Sequence, residues 1–194
     1  MKRRLLVACT VLVPLVLAAC GSDGNGSTPS DDGGSASADD GGGGGLSGTA
    51  MCRDARGDGG TADLTMVELA GSGDGLTATF TMTAPMPGSG PVLLSLAVSS
   101  GDGETARQLG ARWVDGQATE VYVFDVGEAQ NEDVDTEPSV DGGTVRVTFP
   151  SDAVSDLGAT WRWRSTTSVG GVDVDACPEA SGDMMNVATQ PFPG

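Results

Sequence analysis

The chain has 194 residues, 31 of them glycine, with 27 acidic against 10 basic side chains and no histidine, giving a formal net charge of −17. Without histidine there is no Ser-His-Asp or Cys-His nucleophile, no histidine metal site and no histidine pH switch. The acidic balance argues against binding nucleic-acid phosphates, and the length suffices for one domain with extensions.

The chain opens with Lys2, Arg3 and Arg4, then an apolar run from Leu5 to Leu17 broken by Thr10 and Pro14. A bilayer span needs about 20 apolar residues, so residues 1–19 read as an export signal rather than a membrane helix. The run ends Leu17-Ala18-Ala19-Cys20, followed by Gly21. This ending resembles the lipobox of bacterial lipoproteins. The resemblance implies cleavage before Cys20, acylation of that cysteine with palmitate-type chains, and residence at the outer face of the cell membrane. Loss of Lys2, Arg3 and Arg4 leaves seven arginines against 27 acids, a balance of −20. Anionic lipid repels such a chain, so attachment falls to the acyl chains. Abundant glycine and aspartate with a single lysine fit a high-GC bacterium, an actinobacterium.

Residues 20–49 hold the cysteine and a stretch of Gly, Ser, Asp, Asn and Thr, with five successive glycines at Gly41–Gly45. No core can form from this composition, and the segment reads as a flexible linker. About 30 such residues average roughly 30 Å in reach, enough to lift a domain clear of the membrane.

From residue 50 to 181 the pattern changes to short apolar runs punctuated by Gly, Asp and Pro. Leu64–Leu69 is a strand, and Gly71–Gly75 is the turn into Leu76–Thr83, where apolar residues and threonines alternate with a period of two. Val92–Val98 places Val92, Leu94, Leu96 and Val98 on one face. Ala111–Val114 and Thr119–Val126 flank the turn Asp115-Gly116, and the second is apolar on both faces, the mark of a central strand. Asp141-Gly142-Gly143 turns into Thr144–Phe149, which Pro150 ends; Ser151 caps one helical turn reaching Leu157. Ala159–Thr166 and Val172–Cys177 complete about eight strands, and residues 182–194 read as a loosely ordered tail. Many short strands without a long amphipathic helix predict an all-β fold, a single antiparallel β-sandwich.

Cys9 departs with the signal and Cys20 is taken by lipid, leaving Cys52 and Cys177 near the two ends of the domain. Outside the cell such a pair forms a disulfide, and closing a loop of over 100 residues stabilises by about 4–5 kcal/mol in the chain-entropy description. Asp54-Ala55-Arg56-Gly57-Asp58 with Asp63-Leu64 opens the domain; Val147-Thr148-Phe149-Pro150 comes late; Asp175-Ala176-Cys177-Pro178 closes it. This ordering is similar to secreted β-sandwich modules of the DOMON and family-9 carbohydrate-binding type. The resemblance implies a sandwich that binds haem, a sugar or a partner protein, although the usual haem ligands include histidine, which is absent.

Four groups of residues are candidate sites. Asp133, Asp135 and Glu137 alternate within an acidic stretch, a spacing that suits a hard cation such as calcium, though Pro138 stands where a calcium loop would carry glycine. Asp54, Asp58, Asp63, Asp173 and Asp175 would be gathered by a Cys52–Cys177 bond, for binding or for turn chemistry. Trp161 and Trp163 alternate with Arg162 and Arg164, so the tryptophans face one way, as core or as a sugar platform. Arg146 would join Arg162 and Arg164 on the outer face of adjacent strands, a partner or ligand face or one paired with the chain's own acids. No nucleophile elbow, phosphate loop or zinc-protease motif is present. The expected function is therefore a non-enzymatic binding or interaction module without a resident cofactor. Its partner is an unidentified protein or glycan; the alternatives are solute capture (glycan or calcium) and an accessory subunit of a membrane complex.

Overall fold

A computed structural model describes residues 46–179 and 188–193. The export signal 1–19, Cys20 and the linker up to residue 45 lie outside the described residues.

The alternation at Leu76–Met82 becomes strand β3 (Gly75–Met82), with Leu76, Ala78, Phe80 and Met82 buried and the threonines on the other face. Successive strand side chains point to opposite faces, so this pattern permits one buried side. The same logic builds β2 (Leu64–Ser72) and β9 (Thr144–Pro150) on either side of β3, β1 (Gly48–Arg53) beside β2, and β8 (Ser139–Asp141) beside β9. These five form one antiparallel sheet in the order β1-β2-β3-β9-β8. Ser72 pairs with Gly75 across a two-residue turn, tighter than the Gly71–Gly75 turn expected. Gly75 has φ +151°, and any Cβ there would strike the Phe149 carbonyl of β9, so the close approach of the strands requires glycine.

The second sheet comprises β4 (Pro91–Ser100), β5 (Ala106–Val114), β6 (Gln117–Asp125), β7 (Gln130–Asp133), β10 (Trp161–Val169), β11 (Val172–Cys177) and β12 (Gln190–Phe192). Its order is β11-β10-β4-β5-β6-β7, with β12 pairing the start of β10. Asp115 and Gly116 both take positive φ, the two-residue hairpin geometry that an Asp-Gly pair favours. β6 lies one strand in from the edge, not at the centre. Its outer-face apolarity comes from Tyr122 and Phe124, and Tyr122 lies over Gly110 of β5 and leaves no room for a Cβ there.

The inner faces of both sheets form one apolar cluster, with Leu69, Leu76, Phe80 and Phe149 from one and Leu94, Leu96, Leu109, Trp113 and Trp161 from the other. Each such side chain contributes about 1.5–3 kcal/mol when fully buried. The fold is thus the expected all-β sandwich, with twelve strands rather than about eight. The additions are β1, two short strands β7 and β8, and β12. Gly48 and Thr49, expected in the linker, belong to β1.

The C-terminal residues also depart from expectation. Gln190–Phe192, read as loose tail, pairs with Trp163–Trp161 of β10. Phe192 is 1% exposed and stacks on Trp161 with ring centroids 4.5 Å apart. The helical turn after β9 is a 3-10 turn, Ser151–Ala153, preceded by Pro150 and without a side-chain cap, so Ser151 is inside the turn rather than capping it.

Candidate functional site

The Cys52–Cys177 disulfide forms as expected, with the two Cα atoms 5.9 Å apart. It joins β1, an edge of the five-stranded sheet, to β11, an edge of the other. Asp54 immediately follows β1, Asp63 immediately precedes β2, and Asp175 lies two residues before Cys177. The bond and the β-pairings therefore draw residues from opposite ends of the domain into one carboxylate cluster.

Asp63 is 2% exposed and closes the loop between β1 and β2: its oxygens accept N–H bonds from Gly57 at 2.9 and 3.0 Å and from Gly59 at 2.8 Å. Asp175 crosses between the sheets, accepting from Leu64 N at 2.6 Å and from Ala176 N at 2.7 Å. Carboxylate oxygens of Asp58, Asp63 and Asp175 lie within 4.8 Å of one another, and so do those of Asp54, Asp58 and Glu179.

This crowding divides the acids by environment. Burial pushes Asp54 up to about 7, reinforced by a hydrogen bond shared with Asp175 and by the charges of Asp175 and Asp58. Burial also raises Asp175, against the bonds from Leu64 and Ala176. In Asp63 burial pushes upward too, but the Gly59 and Gly57 N–H groups outweigh it and hold the carboxyl below its ordinary value. A hydrogen bond to Asp58 and the Asp58 charge raise Glu179. The cluster thus sets one acid held ionised, Asp63, among Asp54, Asp175 and Glu179, whose surroundings favour the protonated form. Chemically it can exchange a proton, and its converging oxygens are of the type a hard cation takes.

Of the five aspartates expected to meet here, Asp54, Asp58, Asp63 and Asp175 do so. Asp173 instead accepts a hydrogen bond from Ser168. Glu179 is the member that the sequence reading missed; its position two residues beyond Cys177 was the available signal.

The calcium expectation for Asp133, Asp135 and Glu137 is not supported by the geometry. All three are exposed along an open depression of about 300 Å³, and among the described residues the converging carboxylates are those beside the disulfide.

Of the two readings of the tryptophans, core and sugar platform, the structure takes the first. Trp161 and Trp163 are 1% and 0% exposed, and Trp163 Nε1 donates to the Pro191 carbonyl at 3.2 Å. They are core residues.

The arginine face splits between sheets. Arg146 lies on β9 and reaches Thr79 at 3.4 Å, whereas Arg162 and Arg164 lie on β10 in the other sheet. Arg162 bonds Thr189 through its hydroxyl at 2.6 Å and its carbonyl at 2.9 Å, holding the approach to β12. Arg164 lines a depression of about 320 Å³ with Asp58, Asp173, Asp175 and Glu179.

Comparison of the chain with protein families, curated proteins and solved structures found no match. Among the described residues, no helix is long and apolar enough to cross a membrane.

Proposed function

We propose that this chain is a lipid-anchored protein of the actinobacterial cell envelope, its β-sandwich a non-enzymatic binding module held outside the cytoplasmic membrane by acylated Cys20. One observation supports the reading above the others: among the described residues the first strand begins at Gly48, three residues past the last glycine of the run, and is closed to the last third of the chain by a disulfide. Disulfides of this kind persist in oxidising compartments, so the domain is suited to the side of the membrane that an export signal leads to.

The test is metabolic labelling with an alkyne-bearing palmitate analogue. Label on the wild-type chain, lost in Cys20→Ala together with membrane association, supports the reading. An unlabelled chain, or a membrane-bound Cys20→Ala variant, overturns it. Cross-linking and capture from the native membrane then separates an adaptor, with one stoichiometric protein partner, from a module for a glycan or other solute.

A second reading, calcium capture, is favoured by the two carboxylate triads beside the disulfide. A rise in Tm with millimolar calcium that Asp58→Asn abolishes supports it, and an unchanged Tm removes it.

A further inference from the structure

The acids beside the disulfide form two triads that share a member. Oxygens of Asp54, Asp58 and Glu179 lie within 4.8 Å of one another, those of Asp58, Asp63 and Asp175 do the same, and Asp58 belongs to both. The first triad is the outer one, since Asp58 and Glu179 are exposed. The second reaches inward, where Asp63 is buried and Asp175 crosses to Leu64 N of the opposite sheet. Among the described residues none of these five acids is ion-paired, although Arg164 lines the same depression as Asp58, Asp175 and Glu179.

Each triad also has a buried oxygen with nothing to bond. Thr167 of β10 is 0% exposed, and its Oγ1 has no hydrogen-bond partner. Thr167 stands directly across from Asp175 of β11, and directly opposed residues of an antiparallel pair share a face. Asp175 uses that face to reach Leu64, so the Thr167 hydroxyl is aimed at the inner triad from the core side. In the outer triad Asp54 Oδ2 is buried and likewise unpartnered. Buried polar atoms are nearly always satisfied, and an oxygen left over beside converging carboxylates is satisfied by a cation. The N–H bonds from Leu64 and Ala176 leave a second lone pair on each Asp175 oxygen and hold that carboxylate in place, as outer bonds hold metal ligands.

We propose that the two triads hold two calcium ions side by side, bridged by Asp58, with Thr167 a hydroxyl ligand of the inner ion. The inference rests on the calcium-capture reading and deepens it by assigning two ions and their ligands. Three features select the class. Every candidate ligand atom is an oxygen, the chain has no histidine, and Cys52 and Cys177 are tied to each other, so a metal that seeks imidazole or thiolate finds neither here. When ionised, the five carboxylates carry more charge than one divalent ion balances and nearly what two balance. The ligands come from the β1–β2 loop, β10, β11 and the residues after it, an irregular set that suits the about six to eight oxygens of calcium better than the strict octahedron of magnesium.

The test titrates the chelator-stripped full chain, in a zwitterionic detergent, with calcium chloride by calorimetry. Two ions per chain are expected. Asp58→Asn should weaken both by roughly tenfold or more, Glu179→Gln should reduce the count to one, and Thr167→Val should weaken one ion by roughly tenfold and spare the other. Asp133→Asn, far from the disulfide in the chain, should change neither. On the unmutated chain, terbium replacing calcium should lose emission when neodymium fills the neighbouring place, which requires adjacent ions. One ion per chain, two ions that Asp58→Asn and Glu179→Gln leave unchanged, or terbium emission indifferent to neodymium overturns the proposal while calcium capture stands. No saturable binding at about 10 mM calcium, above the range of extracellular calcium modules, overturns both. All these outcomes are independent of acylation at Cys20.

Discussion

Replacing Asp54 with asparagine isolates the proton held beside the disulfide. In the folded chain Asp54 is raised from 3.8 to about 7, by burial first and then by its bond with Asp175. Between those values the folded protein binds a proton that the unfolded chain has released, so stability falls as pH rises through about 4 to 7. That displacement corresponds to about 4 kcal/mol at full strength. Asp54 is partly solvated, and screening reduces this to about 1–2 kcal/mol. Asparagine keeps the shape, can donate to Asp175 and does not titrate. Asp54→Asn should therefore match the wild type near pH 4 and exceed its stability by about 1–2 kcal/mol at pH 8, and urea unfolding with the disulfide intact reads the difference. Asp63 works in the opposite sense. Its folded value lies below the ordinary one, so its contribution is present above the unfolded pKa and is lost as pH falls through the folded value. Asp63 is common to both proteins and cancels in the comparison. An Asp54→Asn effect of equal size at both pH values, or a loss of stability at pH 8, would refute the shared-proton account.

Reduction of Cys52–Cys177, which spans 125 residues, should cost about 4–5 kcal/mol, seen as a large drop in Tm with reductant. Phe192→Ala removes a buried ring stacked on Trp161 and should cost about 3–5 kcal/mol; a neutral result in chemical denaturation would mean that β12 is not docked. Gly110→Ala drives a methyl group into the Tyr122 ring and should destabilise by about 1–3 kcal/mol, with Tyr122→Leu in the same background recovering part of the loss. Asp133→Asn with Asp135→Asn should leave Tm in calcium within the range of ordinary surface changes, about 0.5 kcal/mol.

Local pattern alone determined a good deal of this molecule. Leu76–Met82 must present one apolar side because strand side chains alternate, and Asp115-Gly116 must reverse the chain tightly because both residues tolerate positive φ. The disulfide followed from elimination among four cysteines. Which strands lie together was decided elsewhere. Thr144–Phe149 and Trp161–Thr166 are successive and carry the same alternation, yet they occupy opposite sheets, with Val147 and Trp163 both turned into the shared core. Alternation specifies a face but not a neighbour, so side-by-side pairing and face-to-face packing satisfy it equally. For the same reason the expected shared face of Arg146, Arg162 and Arg164 does not form, since Arg146 lies in the other sheet. Phe192 is a lone aromatic between two prolines, with no periodic signal; its place exists only because β10 leaves an edge and Trp161 a ring face to cover. The gathering of Asp54, Asp58, Asp63 and Asp175 was legible from the Cys52–Cys177 pairing, whereas the place of Glu179 among them and the burial that separates their protonation came only with the tertiary structure.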